Sequence, residues 1–152
     1  MKASDLMTPE PITVTEGTSL RTVNDRMKML RVRHMPVVRG DRLVGIVTHR
    51  DVLAASLSKI ADPDSEMADE ILAQIPVGEV MVEDIYTVKT DTDLVEAINT
   101  MLSRKIGCVP VTNGDDELVG IVTESDFVKL TRTLLEASNT DAEEWSPDAP
   151  MH

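Results

Sequence analysis

Apolar positions along the chain switch between two periods, and the switches come in the same order twice. Pro11-Ile12-Thr13-Val14-Thr15 is rich in β-formers and predicts a short strand. Thr18 or Ser19 can cap a helix whose apolar stripe is Leu20, Val23, Met27 and Leu30. Met35-Pro36-Val37-Val38 predicts a second strand, with the proline near its start where a missing N–H is tolerable. Arg39-Gly40-Asp41 turns the chain, Leu43-Val44-Gly45-Ile46-Val47 returns, and Thr48 opens a helix with Leu53, Leu57 and Ile60 at helical spacing. Further on, Asp93 caps Leu94, Ala97, Ile98 and Met101. Val109-Pro110-Val111 and Leu118-Val119-Gly120-Ile121-Val122 flank an Asn113-Gly114 turn, and Phe127, Leu130 and Leu134 line a last helix. The predicted order is β-α-β-β-α, twice.

The two halves align residue by residue. At an offset of 74, Met7 meets Met81, Val14 meets Val88, Met27 meets Met101 and Pro36 meets Pro110. One residue is inserted in the second turn, and at an offset of 75 Gly45 meets Gly120 and Asp51 meets Asp126. Gly45-Ile46-Val47-Thr48-His49-Arg50-Asp51 thus recurs as Gly120-Ile121-Val122-Thr123-Glu124-Ser125-Asp126, which marks a duplicated unit. The expected division is repeat one over 1–60, an acidic linker over 61–75, repeat two over 76–135, and an acidic, disordered tail over 136–152. Residues 66–75 can form a helical turn or two within the linker. Trp145 falls in the tail.

Composition narrows the function classes. The net charge of −12 is uneven: residues 1–60 carry +4, residues 76–135 carry −6, and linker and tail carry −5 each. Nucleic-acid binders show a basic face, so the acidic balance argues against that class, although the first half alone is electropositive. No stretch has the ~18 apolar residues of a membrane span, and residues 1–5 hold no apolar run of signal length. A single cysteine, Cys108, allows no intrachain disulfide and suits a reducing compartment. The expected location is the cytoplasm, with neither membrane nor nucleic acid as partner.

Thr48-x-x-Asp51 has a simple account as a capping box, Thr48 accepting an amide and Asp51 favouring the positive helix end. Three facts add to it. The pattern recurs at Thr123 and Asp126; it follows a strand, so free N–H groups face outward; and Arg33-His34 opens the neighbouring strand, with Arg50 beside Asp51. An acid for sugar hydroxyls, a hydroxyl and helix start for phosphate, and Arg with His for charge would suit a nucleotide.

These residues carry a family resemblance. Asp5-Leu6-Met7-Thr8 and Glu79-Val80-Met81 at the repeat starts, His34-Met35-Pro36-Val37-Val38 and Cys108-Val109-Pro110-Val111, and the two Gly-Ile-Val-Thr-x-x-Asp stretches resemble a tandem pair of CBS (cystathionine-β-synthase-type) repeats, a Bateman module. The resemblance implies an α+β fold of two pseudo-symmetric repeats packed through their sheets, with two clefts. It implies an adenosine-containing ligand (AMP, ADP, ATP, S-adenosylmethionine or a cyclic dinucleotide), no cofactor, no catalysis, a flat homodimer and regulation of a partner protein. With no effector domain attached, that partner is expected in trans. Asp51 and Asp126 would then bond ribose hydroxyls, and Thr48 and Thr123 would meet phosphate or ribose. Ile12, Thr13, Ile85 and Tyr86, with Met35-Pro36 and Val109-Pro110, would flank adenine, and Arg33 and His34 would meet phosphate. The second repeat departs from this pattern, with Gly107-Cys108 for Arg33-His34 and Glu124-Ser125 for His49-Arg50, so an uncharged adenosine moiety, or nothing, is expected at Asp126.

His34, His49 and Cys108 have no usual zinc spacing, and no Ser–His–Asp or paired-carboxylate arrangement can be argued. Met27, Met29 and Met101 read as core. The rival function is a constitutive dimerisation or interaction module with empty clefts, in which Thr48 and Asp51 only cap a helix.

Overall fold

A computed structural model describes residues 1–57 and 66–144, the side chains of 141–144 excepted. Ile60, residues 61–65 of the linker and residues 145–152 of the tail, Trp145 among them, lie outside the described residues. The elements are α1 (Ala3–Leu6), β1 (Thr8–Pro9), α2 (Leu20–Leu30), β2 (His34–Arg39), β3 (Arg42–Thr48), α3 (His49–Leu57) and α4 (Glu66–Gln74). A 3-10 turn (Val77–Glu79) follows, then β4 (Val88–Lys89), α5 (Leu94–Arg104), β5 (Cys108–Thr112), β6 (Leu118–Thr123) and α6 (Glu124–Glu144).

The duplication is visible in detail. Ser19 caps α2 by accepting the Thr22 N–H, and Asp93 caps α5 by accepting the Val95 N–H. Both helices end on a left-handed residue, Arg31 and Lys105, each with φ 55°. β2 pairs antiparallel with β3, and β5 with β6. Val14 bridges Val37 in parallel, as Val88 in β4 pairs with Val111. The strand expected over residues 11–15 is therefore reduced to a single bridge at Val14: Pro11 has no N–H to give, and Ile12 stands exposed.

The sequence repeats are not the packing units. Residues 1–9 dock on the second half: Ala3 and Ser4 N–H groups donate to the Thr92 and Thr90 carbonyls, and β1 pairs with β6. Residues 75–82 dock on the first half in the equivalent way, with Val77 N–H to Thr18 O, Gly78 N–H to Glu16 O, and Val82 bridging Ile46. One core joins Val14, Leu20, Val23, Met27, Met35, Val37, Val47 and Val52 to Leu72, Ile75 and Val77. The other joins Ala3 to Val88, Ala97, Met101, Val109, Val111 and Val122. Glycines make the exchange possible. A Cβ on Gly45 would meet the Met81 sulfur, and one on Gly120 the Met7 sulfur, both far inside contact distance.

The repeats meet through their sheets. Ile46, Cys108 and Ile121 form a small third cluster with Ile85 against it, and Leu118 N–H donates to Asp41 O between the hairpin turns. β3 and β6 are buried on both faces, which explains their unbroken apolar runs.

Four expectations change. The linker is structural: α4 packs on α2 and α3 and buries Ala68 and Leu72. The tail is helical through Glu144, because the polar residues after Ser138 continue α6 with no proline or glycine to stop it. α3 turns Val52 and Ser56 inward and leaves Leu53 and Leu57 exposed, and Leu134 on α6 is exposed too. Met29 is an exposed side chain, because only Leu20, Val23, Asn24 and Met27 of α2 face inward.

Candidate functional site

Each Gly-Ile-Val-Thr strand runs straight into a helix, so its Thr becomes the N-cap and its Asp the third helical residue. Asp51 Oδ2 accepts the Thr48 N–H at 2.8 Å and the Thr48 hydroxyl at 2.9 Å, and the Asp51 N–H donates to Thr48 Oγ1 at 3.2 Å. This is a complete capping box. Asp126 Oδ2 accepts the Thr123 N–H at 2.8 Å, while the Thr123 hydroxyl is shared between Asp126 Oδ2 and Ser125 Oγ. The cap consumes one carboxylate oxygen in each motif and leaves the other to be accounted for.

That second oxygen distinguishes the sites. Asp51 Oδ1 has no hydrogen-bond partner among the described residues, and Asp51 is half-buried. Asp126 Oδ1 faces the Thr8 hydroxyl at 3.5 Å, and Asp126 is only 7% exposed. Thr8 arrives with the exchanged segment 1–9. Its counterpart on the first half is Val82, which has no hydroxyl to offer.

The structure groups Arg33, His34, Thr48 and Asp51. His34 lies opposite Thr48 in the β2–β3 register, and Arg33 O accepts the His49 N–H. Partial burial lowers the His34 imidazole pKa below its ordinary 6.5, and Arg33 adds to that; Glu124 and Asp51 oppose it. Arg33 and Arg50 are exposed and form no ion pair among the described residues.

Other expected contacts are not brought to this group. Met35 and Val109 are 0% exposed and belong to the two cores, because strand alternation sends them to the helix side of each sheet. Their side chains cannot flank a ligand. Pro36 and Pro110, one residue on, are buried on the opposite face. Tyr86 packs against the second core with the Arg104 guanidinium 5.3 Å from its ring centroid. Ile85 lines a shallow depression of about 190 Å³ with Leu43, Val44, Glu83, Thr87, Thr112 and Asp116; none of the motif Thr and Asp residues lines it. Ile12 is exposed and Thr13 half-buried beside the Val14 bridge. Sequence reasoning missed Thr8 and Glu124 as site neighbours. Only the exchange of N-terminal segments brings Thr8 to Asp126, and that exchange leaves no mark in a residue pattern.

Cys108 is buried, and burial first, Glu124 second, push its thiol up to about 12, so it is no thiolate nucleophile. No cluster of three or more His, Cys, Asp or Glu that could hold a metal ion exists among the described residues. Among them, too, no helix is long and apolar enough to cross a membrane.

Known proteins share this fold. The family model for the CBS domain matches residues 3–58 and 77–132. A Vibrio cholerae protein named, provisionally, for acetoin utilization (AcuB) is similar at 36% identity and TM-score 0.75 over 97% of this chain and 98% of that one. The protein CBSX2, solved in complex with AMP, is similar at 26% identity and TM-score 0.71 over 88% and 97%. An uncharacterized protein of Methanocaldococcus jannaschii is 32% identical over 78% of this chain and 44% of its own length. The chain spans less than half the length of the first curated relatives it matches.

Proposed function

The chain belongs to the CBS-domain family, and from that premise we propose that it is a non-catalytic regulatory module: it binds an adenosine-containing ligand at the Asp51 site and passes the bound state to a partner protein in trans. AMP, ADP and ATP are the leading ligands, ahead of S-adenosylmethionine-like molecules. The observation that carries this reading is the uncommitted Asp51 Oδ1, held by a capping box beside Arg33 and His34. An acceptor fixed in this way is ready for a ribose hydroxyl, and the two cationic-capable side chains are ready for a phosphate. The relative solved with AMP supports the ligand class. Likeness to the Vibrio protein over nearly its whole length makes acetoin utilization the first process in which to look for the partner. The setting proposed is cytoplasmic.

The rival reading, a constitutive interaction module with empty clefts, has one observation in its favour: both motifs are satisfied as caps without a ligand. A thermal-shift panel of AMP, ADP, ATP and S-adenosylmethionine separates the two. A ligand at ~100 times its dissociation constant adds ~2.7 kcal/mol of stability, and a flat response favours the rival. We also propose a homodimer, since Leu53, Leu57, Leu134 and Leu135 are exposed in one chain. A monomeric mass by light scattering at micromolar concentration would contradict it.

A further inference from the structure

The two sites approach each other where His34, Gly107 and Glu124 meet. A methyl group on Gly107 would lie 3.2 Å from His34 Nε2 and 3.5 Å from a Glu124 carboxylate oxygen, so both groups flank one point. Glu124 is the first residue of α6, held there by its N–H donating to Gly107 O at 3.1 Å. It therefore comes from the second repeat but faces a residue of the first site. At the repeat-equivalent positions, Gly107 stands for Arg33 and Glu124 for His49. The second repeat thus presents no cation at this point, and Glu124 forms no ion pair among the described residues. Its charge acts on His34 and on Cys108, the opening residues of β2 and β5.

We propose that Glu124 is the specificity-determining residue that limits how much negative charge a ligand at the Asp51 site can carry. The inference rests on the reading of that site as an adenosine site and orders the nucleotides within it: adenosine and its monophosphate in preference to the triphosphate. Arg33 and His34 draw a phosphate toward the point that Glu124 overlooks. Repulsion from a carboxylate at this point grows with each added phosphate charge and is absent for the neutral nucleoside. An interface that selects by charge needs such a repulsive element as well as attractive ones.

Calorimetric titration of the full chain with adenosine, AMP and ATP tests this, comparing the unaltered protein with Glu124→Gln. The variant should tighten ATP about tenfold, AMP less, and adenosine by less than twofold. Glu124 is exposed, and Gln keeps its length, so folding is preserved; Glu124→Ala provides a second variant expected to change affinities in the same direction. Adenosine binding that Asp51→Ala abolishes establishes the site, and an unchanged ATP-to-adenosine ratio in both Glu124 variants then overturns the role of Glu124 alone. If neither adenosine nor AMP binds any form, the adenosine reading falls and takes this inference with it.

Discussion

The two halves share one framework and finish it differently. The first half closes on itself: after α3 the chain folds back, and α4 covers α2 and α3 with Ala68 and Leu72 buried. The second half has no returning helix among the described residues; α6 runs on for 21 residues, and positions 131–140 are all exposed. The sites differ in the same sense. Among the described residues Asp51 keeps a carboxylate oxygen uncommitted beside Arg33 and His34, whereas Asp126 is more buried, faces the Thr8 hydroxyl, and follows Glu124 rather than His49. Duplication conserves the scaffold because the exchanged segments need matching glycine gaps on both sides. Charge and hydroxyls at the helix starts are free of that constraint, so they can diverge.

The largest expected effect concerns closure. Leu72→Ala removes a fully buried side chain and should cost ~2–5 kcal/mol in chemical denaturation. Leu135→Ala, on the bare helix, should change stability by less than ~0.5 kcal/mol in a form held monomeric by dilution. Equal losses would show that the two halves are closed alike. Next in size, Arg33→Ala should weaken AMP binding by ~1.5–3 kcal/mol relative to adenosine, since only AMP can form the charge-assisted contact. A loss shared equally by both ligands would place Arg33 away from the phosphate.

The smallest effect is a pH dependence. The pKa of His34 is lowered in the folded state, so between that value and 6.5 the unfolded chain binds more protons. Stability should therefore fall as pH drops through this window and be level above it, and His34→Gln should remove that slope. An anionic ligand favours the charged imidazole, so AMP binding should tighten in the same window while adenosine binding does not. Melting curves and titrations at about pH 5.5 to 8, a range that spans the ordinary histidine pKa, check both.

The scaffold was largely legible in the sequence. Repeated periodicity, the Ser19 and Asp93 caps, and the strand-to-helix junctions at Thr48 and Thr123 are local features, and all appear in the structure. What a residue faces across the repeats was not legible. Met35 and Val109 carry the right motif but sit on the core side of their strands, a matter of which sheet face is covered. Thr8 and Glu124 reach their sites only through long-range packing, which one sequence does not encode as a pattern. Likewise the acidic segment 66–74 looked like solvated linker because its two buried residues, Ala68 and Leu72, are outnumbered by charged and exposed neighbours.

On the proposed reading, duplication left one ligand-binding site, at Asp51, and one whose carboxylate faces the Thr8 hydroxyl instead. Calorimetric titration of AMP into the unaltered chain, Asp51→Ala and Asp126→Ala tests it most directly. Each variant loses a first-turn acid worth ~0.3–1 kcal/mol, and Asp126→Ala also loses the Thr8 contact, so melting curves must show both variants folded at the titration temperature. One AMP per chain is expected, lost in Asp51→Ala and kept within about threefold in Asp126→Ala. Binding that survives Asp51→Ala and disappears in Asp126→Ala would contradict it.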